Sequence, residues 1–359
     1  MTFRRRGLRA KGFESRRVTE RTKGASIKDV AEYAGVSPKT VSRVHNGERW
    51  VREEVREKVL AAIKALNYRP NAAARSLSGS RSYLLGLVLD NPSSHYAGDV
   101  QLGALKRARL RGCHLVVEPV DIKAASWTTE LTASITALRL DGVLLTPPLC
   151  DNAEVLKVLD DLDIPYVRIS PDRDPDRSPY VHIDERAAAH EMTTYLLDRG
   201  HTDIGFIRGQ ATHSSARLRF EGFRDAMTER GLTPREAWIV DGNFQFPSGQ
   251  DAARTLLSGE GRPTAIFAAN DAMAFGAIVA ASKQGLSVPG DLSVVGFDDA
   301  PAAQIYSPGL TTIRQPVIEM GAMAVDLLLS PPGDQAASVG HCLAHGLVER
   351  DSVAVLSNP

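Results

Sequence analysis

Two groups of residues have the types and spacings to do chemistry. The first lies near the N-terminus, where Lys39, Thr40, Ser42 and Arg43 crowd about one helical turn and Asn46 follows. An arginine can bond bidentately to guanine, and Ser, Thr and Asn reach phosphates or base edges, so the group suits a major groove. The plainer account is the polar outer face of any small helical bundle. The second group is scattered: Asp90, Ser94 and Tyr96, then Ser215 and Arg219, then Phe244, Asn270, Asp271 and Asp298. Charge-assisted hydrogen bonds from Arg and Asp suit hydroxyl groups, and an aromatic face packs on sugar C–H groups. Their plainer account is loop and cap duty, with Asn270 and Asp271 capping the helix that follows.

Other chemistries find less support. His182 with Asp184 and His201 with Asp203 have HxD spacing, but no third metal ligand accompanies them. His341 and His345 stand four apart in a stretch whose apolar alternation predicts extended chain rather than a shared helix face. Cys113, Cys150 and Cys342 form no CxxC pair, and His213 beside Ser214 lacks a GxSxG context. No phosphate-binding glycine loop occurs. The expectation is therefore a protein that is not an enzyme and takes no metal or cofactor.

The elements that must carry the first group follow from periodicity. Ile27, Val30, Ala31 and Ala34 recur at helical spacing, Gly35 can end that helix in the left-handed conformation, and Val36 fills the corner. Ser37 is a good N-cap, Pro38 suits the first helical position, and Val41 and Val44 form the inward face of a second helix. Val55, Val59, Ala62, Ile63 and Leu66 give the third, over Arg52–Leu66. Three short helices with a tight glycine corner make a helix-turn-helix. Past Tyr68 the Ala-rich segment 71–77, capped by Asn71 and including Ala74, is only about two turns long and marginal alone. It should fold only against its copy in a dimer or against DNA, with Leu77 as an apolar tip suited to wedge between base steps; the plainer account is a linker helix.

Charge supports the same division. Over all 359 residues 43 Lys and Arg balance 43 Asp and Glu, a net of zero that argues against a polyanionic partner. Residues 1–81 nevertheless hold 20 basic and 8 acidic side chains, leaving the rest of the chain with an acidic surplus of the same size. A basic head that meets polyanions and an acidic body with a cleft for a neutral ligand are the expectation. Of the head's surplus, seven charges belong to residues 1–24, a basic extension predicted to be disordered. No apolar run of about 18 residues spans a membrane, and the N-terminus lacks the apolar core of a secretory signal, so a cytoplasmic protein is expected.

Residues 82–359 alternate apolar runs with helical patterns. Strands are expected at 84–89, 114–118, 142–145, 204–207, 237–240, 265–268 and 292–297, and helices at 97–111, 127–138, 185–199, 217–230, 248–257 and 272–284. Strands alternating with helices imply parallel sheets, and the restart after the Pro- and Asp-rich loop 171–179 implies two lobes. Ligands of such sheets bind beyond the carboxyl ends of strands, which turns the second group of residues toward one cleft.

The runs SIKDVAEYAGVSPKTVSRVHNG and REKVLAAIKALNYRPNAAARSL closely resemble the LacI/GalR family of bacterial transcription regulators. SSARLRFEGF, AIFAANDAMAFGA, DLSVVGFDD and LTTIRQP carry the resemblance on, over about residues 25–355. It implies base-reading positions for Pro38, Lys39 and Arg43, phosphate contacts for Ser37, Thr40, Ser42 and Asn46, and a hinge helix with Leu77 as its wedge. It also implies that Arg219, Asn270 and Asp298 bind an effector, that Phe244 stacks on it, and that Ser215 and Gln315 touch it. The fold it implies is an N-terminal all-α helix-turn-helix domain plus hinge helix, followed by an α/β two-lobed periplasmic-binding-protein-like domain with parallel sheets. The expected boundaries are 1–24, 25–70, 71–81 and 82–359, with one lobe over 84–184 and 316–336 and the other over 185–313 and 340–356.

Departures bear on the ligand. Asn91-Pro92 is followed by Ser93-Ser94-His95-Tyr96 where many members carry a Phe pair, and Val317 stands where several carry an aromatic, so the ligand is larger or simply different. The C-terminus has no Leu heptad, which favours a dimer over a tetramer. The resemblance implies a homodimer on a pseudo-palindromic double-stranded operator, a repressor in function, controlled by a sugar or oligosaccharide. A sugar-binding module with a non-functional head and an effector-independent regulator are the alternatives.

Overall fold

In the computed structural model the described residues are 25–45, 50–68, 81–259, 261–330 and 340–356. The chain divides into two units between Ser80 and Arg81.

In the first unit, Ile27–Ala34 (α1), Pro38–His45 (α2) and Glu53–Ala65 (α3) pack around Val30, Ala31, Val41, Val44, Val59 and Ala62, all buried. Ser26 caps α1 reciprocally with Asp29, its backbone N–H donating to Asp29 Oδ2 at 2.6 Å. Gly35 ends α1 at φ 64° and ψ 36°, where a side chain would be strained, and lets Val36 N–H reach Ala31 O at 2.9 Å. The corner between α1 and α2 is thus set by one glycine and by Ser37, whose hydroxyl accepts from Thr40 N–H at 3.2 Å.

The second unit holds two parallel sheets. The larger comprises Leu84–Leu89 (β1), His114–Pro119 (β2), Gly142–Leu145 (β3), Tyr166–Ile169 (β4), Tyr180–His182 (β5) and Gly340–Cys342 (β11), in the order β11-β5-β4-β3-β1-β2. His95–Leu110 (α4), Trp127–Leu138 (α5), Ala153–Asp161 (α6) and Val317–Leu328 (α12) accompany it. The smaller sheet, β7-β6-β8-β9, is built from Ile204–Arg208 (β6), Ile239–Asp241 (β7), Ala265–Ala268 (β8) and Ser293–Val295 (β9). Its helices are Glu185–Asp198 (α7), Ser214–Glu229 (α8), Phe246–Ser258 (α9), Asp271–Lys283 (α10) and Ala302–Ile305 (α11). Thr312–Arg314 (β10) and Gly346–Val348 (β12) form an antiparallel pair, and β10 continues beside the smaller sheet through a bridge from Asp298 to Arg314. Strands β1, β3, β8 and β9 are buried along almost their whole length, as parallel strands covered by helices must be.

Several sequence expectations change here. The segment from 340, assigned to the second lobe, begins as β11, which adds in parallel to β5 of the first lobe's sheet before the chain crosses back to β12. The extended chain expected around His341 and His345 is found as β11 and β12, but alternation alone names no partner strand, which is chosen by tertiary contact. Strand β4 and helices α6 and α12 were not foreseen either. Arg168 interrupts the apolar run of β4, yet it is fully buried, because Ser178 Oγ, Arg173 O and Asp174 O accept from its guanidinium. The strand expected at 237–240 starts two residues later, after a turn of 3-10 helix, Glu236–Trp238. The expected hinge helix, 71–81, lies almost wholly outside the described residues, and the basic extension 1–24 lies entirely outside them.

Candidate functional site: an interlobe cleft and an exposed helix face

Both sheets of the second unit change winding direction at their centres, β1 lying between β2 and β3 and β6 between β7 and β8. Such switch points leave a crevice beyond the carboxyl ends of the strands. A cavity of about 710 Å³ opens there, within the size range of small-molecule sites. One wall comes from the loops after β1, β2 and β3 with Ser170 after β4; the other comes from Glu185 and the loops after β6, β7, β8 and β9.

Of the residues named from sequence, Asp90, Tyr96, Ser215, Arg219, Phe244, Asn270 and Asp298 line this cavity. Gln315 does not. It lies buried behind the wall, where its Nε2 donates to Asp298 Oδ1 at 2.7 Å, so it positions Asp298 rather than meeting the cavity. Asn270 performs the cap duty weighed against it, accepting from Met273 N–H at 3.0 Å, while its Nδ2 donates to Phe244 O at 3.0 Å. Ser94 caps α4 through Ala97 N–H. The Tyr96 hydroxyl and the Ser170 hydroxyl are both buried on that wall and act on each other, Ser170 opposing the effect of burial on the phenol. Burial raises the Tyr96 phenol well above its ordinary pKa.

Arg219 is the centre of the charge arrangement. It enters from the first turns of α8, donates from Nε to Glu185 Oε2 at 2.7 Å and from Nη1 to Ala269 O at 2.5 Å, and lies 3.6 Å over the Phe297 ring. Burial opposes its charge, but Glu185 and Asp298 more than offset that and hold its pKa above the ordinary value. Asp298 Oδ1 is 3.8 Å from Nη1. Burial raises the Asp298 carboxyl to about 6, against the downward pull of Arg219 and Gln315. Its backbone sits at φ 121°, and Asp299 beside it at φ 56°, conformations that cost energy for residues other than glycine and gather at functional sites. Asp271 is 1% exposed, and burial with Asp298 nearby pushes its carboxyl far up, although Thr312 Oγ1 and Ala300 N–H donate to it at 2.6 and 2.7 Å.

Phe244 has an unusual seat. Its backbone is at φ 66°, and its ring lies flat on Gly209, where a Cβ would come within 2.0 Å of the ring. His213 meets the same ring edge-on at 5.1 Å, and burial lowers its pKa, Asp90 pulling the other way. Glu185, His213 and Phe246 are cavity residues that sequence reasoning did not select. A glutamate in a helix's first turn reads only as a complement to the helix dipole. Phe246 had one available signal, its place two residues from Phe244 in a loop expected to face the cleft.

The HxD histidines do other work. His201 is 1% exposed and bonds Thr264 Oγ1, Ala354 O and Ser293 Oγ, while Asp184 caps α7 by accepting from Ala187 N–H. Among the described residues no cluster of three or more His, Cys, Asp or Glu could hold a metal ion, and no helix is long and apolar enough to cross a membrane.

In the first unit, Lys39 and Arg43 are exposed on α2, with Pro38 and Ser37 exposed at its start and Thr40 and Ser42 half-buried. Ser37 Oγ is 2.9 Å from Thr40 Oγ1, so these two hydroxyls pair with each other at the helix N-terminus. Asn46, Asn71, Ala74 and Leu77 lie outside the described residues.

Comparison with known proteins follows this division. Residues 26–71 match the family described as bacterial regulatory proteins, lacI family, and residues 193–353 match the periplasmic binding protein-like domain. The chain is 37% identical over 335 residues to the HTH-type transcriptional repressor PurR of Edwardsiella ictaluri (strain 93-146), covering 92% of this chain and 97% of that protein. Among solved structures, the lac repressor dimer bound to operator and the anti-inducer ONPF aligns with a TM-score of 0.75 at 31% identity, over 92% of this chain and 100% of that one. The complex of the transcriptional regulator CelR with cellobiose aligns with a TM-score of 0.71 at 30% identity, over 91% and 99%.

Proposed function

Because the chain belongs to the lacI family of bacterial regulatory proteins, we propose that it is a transcriptional repressor whose operator affinity is set by a small polyhydroxylated effector in the interlobe cleft. The observation that carries this is the pairing, in one chain, of an exposed Lys39/Arg43 face on α2 with a cavity of about 710 Å³ lined by convergent polar groups and an aromatic ring. Such a protein acts by binding rather than catalysis and works where the DNA is, in the cytoplasm. It acts as a homodimer, for which Ile305 and Tyr306, 79% and 60% exposed beside Phe275, supply apolar surface. A pseudo-palindromic operator matches a two-fold protein. Lys39 and Arg43 read bases, Ser37, Thr40, Ser42 and Asn46 approach phosphates, and Asn71, Ala74 and Leu77 belong to the minor-groove segment. Tyr96, Ser215, Arg219, Phe244, Asn270 and Asp298 surround the effector. Effector and operator affinities are then linked, each changing the other by the same factor.

Gel shift tests the DNA half. Wild type binds a palindromic site upstream of a neighbouring gene, and Arg43→Ala weakens it by about 1–3 kcal/mol, roughly 5- to 150-fold. Failure of the wild type on every such site would sink the regulator reading. Calorimetry against a panel of neutral mono- and oligosaccharides tests the effector half. Gly209→Ala is informative there, because the three atoms nearest the added methyl all belong to the ring of Phe244. The ring should swing off its seat, costing an aromatic contact of about 1 kcal/mol and so about 5- to 10-fold in sugar affinity. The unfolding midpoint should hardly move; unchanged affinity would show that the ring does not stack on the ligand.

A further inference from the structure

The cleft contains one buried cation, and that cation is already matched. Arg219 and Glu185 are each 5% exposed and joined at 2.7 Å, with a second guanidinium nitrogen committed to Ala269 O. Among the described residues lining the wall the other Lys or Arg is Lys123, exposed on the loop after β2, and the wall also carries the imidazoles of His95 and His213. Facing the same space are Asp90 and Asp298, and Asp298 is already 3.8 Å from Arg219. Glu185 is held firmly in this role: it is the first residue of α7, directly after the crossover from β5, and Asp184 caps that helix through Ala187 N–H at 2.9 Å.

We infer that Glu185 is a charge filter: by neutralising Arg219 it makes the cleft accept uncharged polyhydroxylated ligands and reject their phosphorylated or carboxylated counterparts. An incoming anion would meet a guanidinium whose field is cancelled at contact distance by Glu185, with Asp90 and Asp298 facing the same space to repel it. A neutral polyol meets the same groups as hydrogen-bond partners and is not repelled. The inference rests on the cleft being the effector site, and it separates two roles for Glu185. A residue that merely holds Arg219 in place is replaced adequately by glutamine, whose amide oxygen still accepts from Nε. A charge filter is not, because glutamine leaves the guanidinium uncompensated.

The test uses the full chain and inorganic sulfate, titrated against chloride at constant ionic strength and read by calorimetry. Three proteins are compared: wild type, Glu185→Gln, and the doubly neutral Glu185→Gln/Arg219→Gln. Sulfate is expected to bind Glu185→Gln saturably and at least tenfold more tightly than it binds the other two, which should be alike. The inference is overturned if wild type binds sulfate saturably where the double variant does not, or if Glu185→Gln gains nothing over the double variant. Should Glu185→Gln not fold, the comparison of wild type with the double variant still decides, since saturable sulfate binding by wild type alone contradicts the filter. The neutral-sugar panel is a separate arm: its failure counts against the effector reading, whereas the sulfate arms read the charge of the cleft directly.

Discussion

Arg219→Ala is expected to destabilise the second unit by about 3–5 kcal/mol, the cost of removing one partner from a buried ion pair. The substitution strands Glu185, 5% exposed and left without its 2.7 Å counter-charge, and removes the nearest cation from Asp298. It also leaves Ala269 O without its donor and uncovers a face of Phe297. Against a total stability of about 5–15 kcal/mol this is a large fraction, and in a unit of this size each kcal/mol shifts the midpoint by about 2–4 °C. Thermal and urea unfolding of the full chain would measure it. Loss of ligand binding by Arg219→Ala alone therefore cannot be assigned to a lost ligand contact. The double variant Glu185→Gln/Arg219→Gln should recover most of the stability, since replacing both members of a buried pair by uncharged groups of similar shape is often close to neutral. A double-mutant cycle with a coupling near zero would show that the two residues do not depend on each other.

What sequence could and could not reveal divides along physical lines. Elements with long apolar repeats were legible to the residue: α5 runs from Trp127 to Leu138, as its periodicity predicts. The first unit was equally clear, because Ser26, Gly35 and Ser37 are local stop and start signals whose action needs no distant partner. Strand β4 was not, nor was the sheet that β11 joins, because both depend on the neighbour each pairs with and, for Arg168, on a loop that accepts its hydrogen bonds. The cleft follows the same rule. Its location could be read from where strands end, and most of the named residues reach it. The charge state could not, because Glu185 and Arg219 are 34 positions apart and meet only once α7 and α8 pack side by side. Gln315 shows the reverse: the family resemblance implies a ligand contact, whereas the fold turns its Nε2 inward to Asp298.

Asp298→Asn is expected to stabilise the protein at neutral pH while weakening effector binding, and the pH dependence identifies the cause. The carboxyl's folded-state value, about 6, lies above that of an exposed aspartate near 3.8, chiefly through burial. A raised value means the folded chain binds the proton more tightly than the unfolded chain. Stability associated with this group is therefore greatest below about pH 4, falls as pH rises from about 4 to 6, and is lost above that. About two pKa units at 1.36 kcal/mol each set the size at no more than about 3 kcal/mol. Asparagine removes the titration, keeps an oxygen for Gln315 Nε2, and tolerates positive φ better than most residues. Its advantage over wild type should approach that limit at pH 7.5 and nearly vanish near pH 4, as measured by urea unfolding across the range. A stability difference that does not change between pH 4 and 7.5 would remove the buried carboxylate as its source. In wild type, sugar affinity should decline as pH falls through about 6, because the protonated carboxyl gives up acceptor capacity. An energetically costly carboxylate on a strained backbone is kept where it serves a ligand, so the variant that unfolds least readily is the one expected to sense its effector least well.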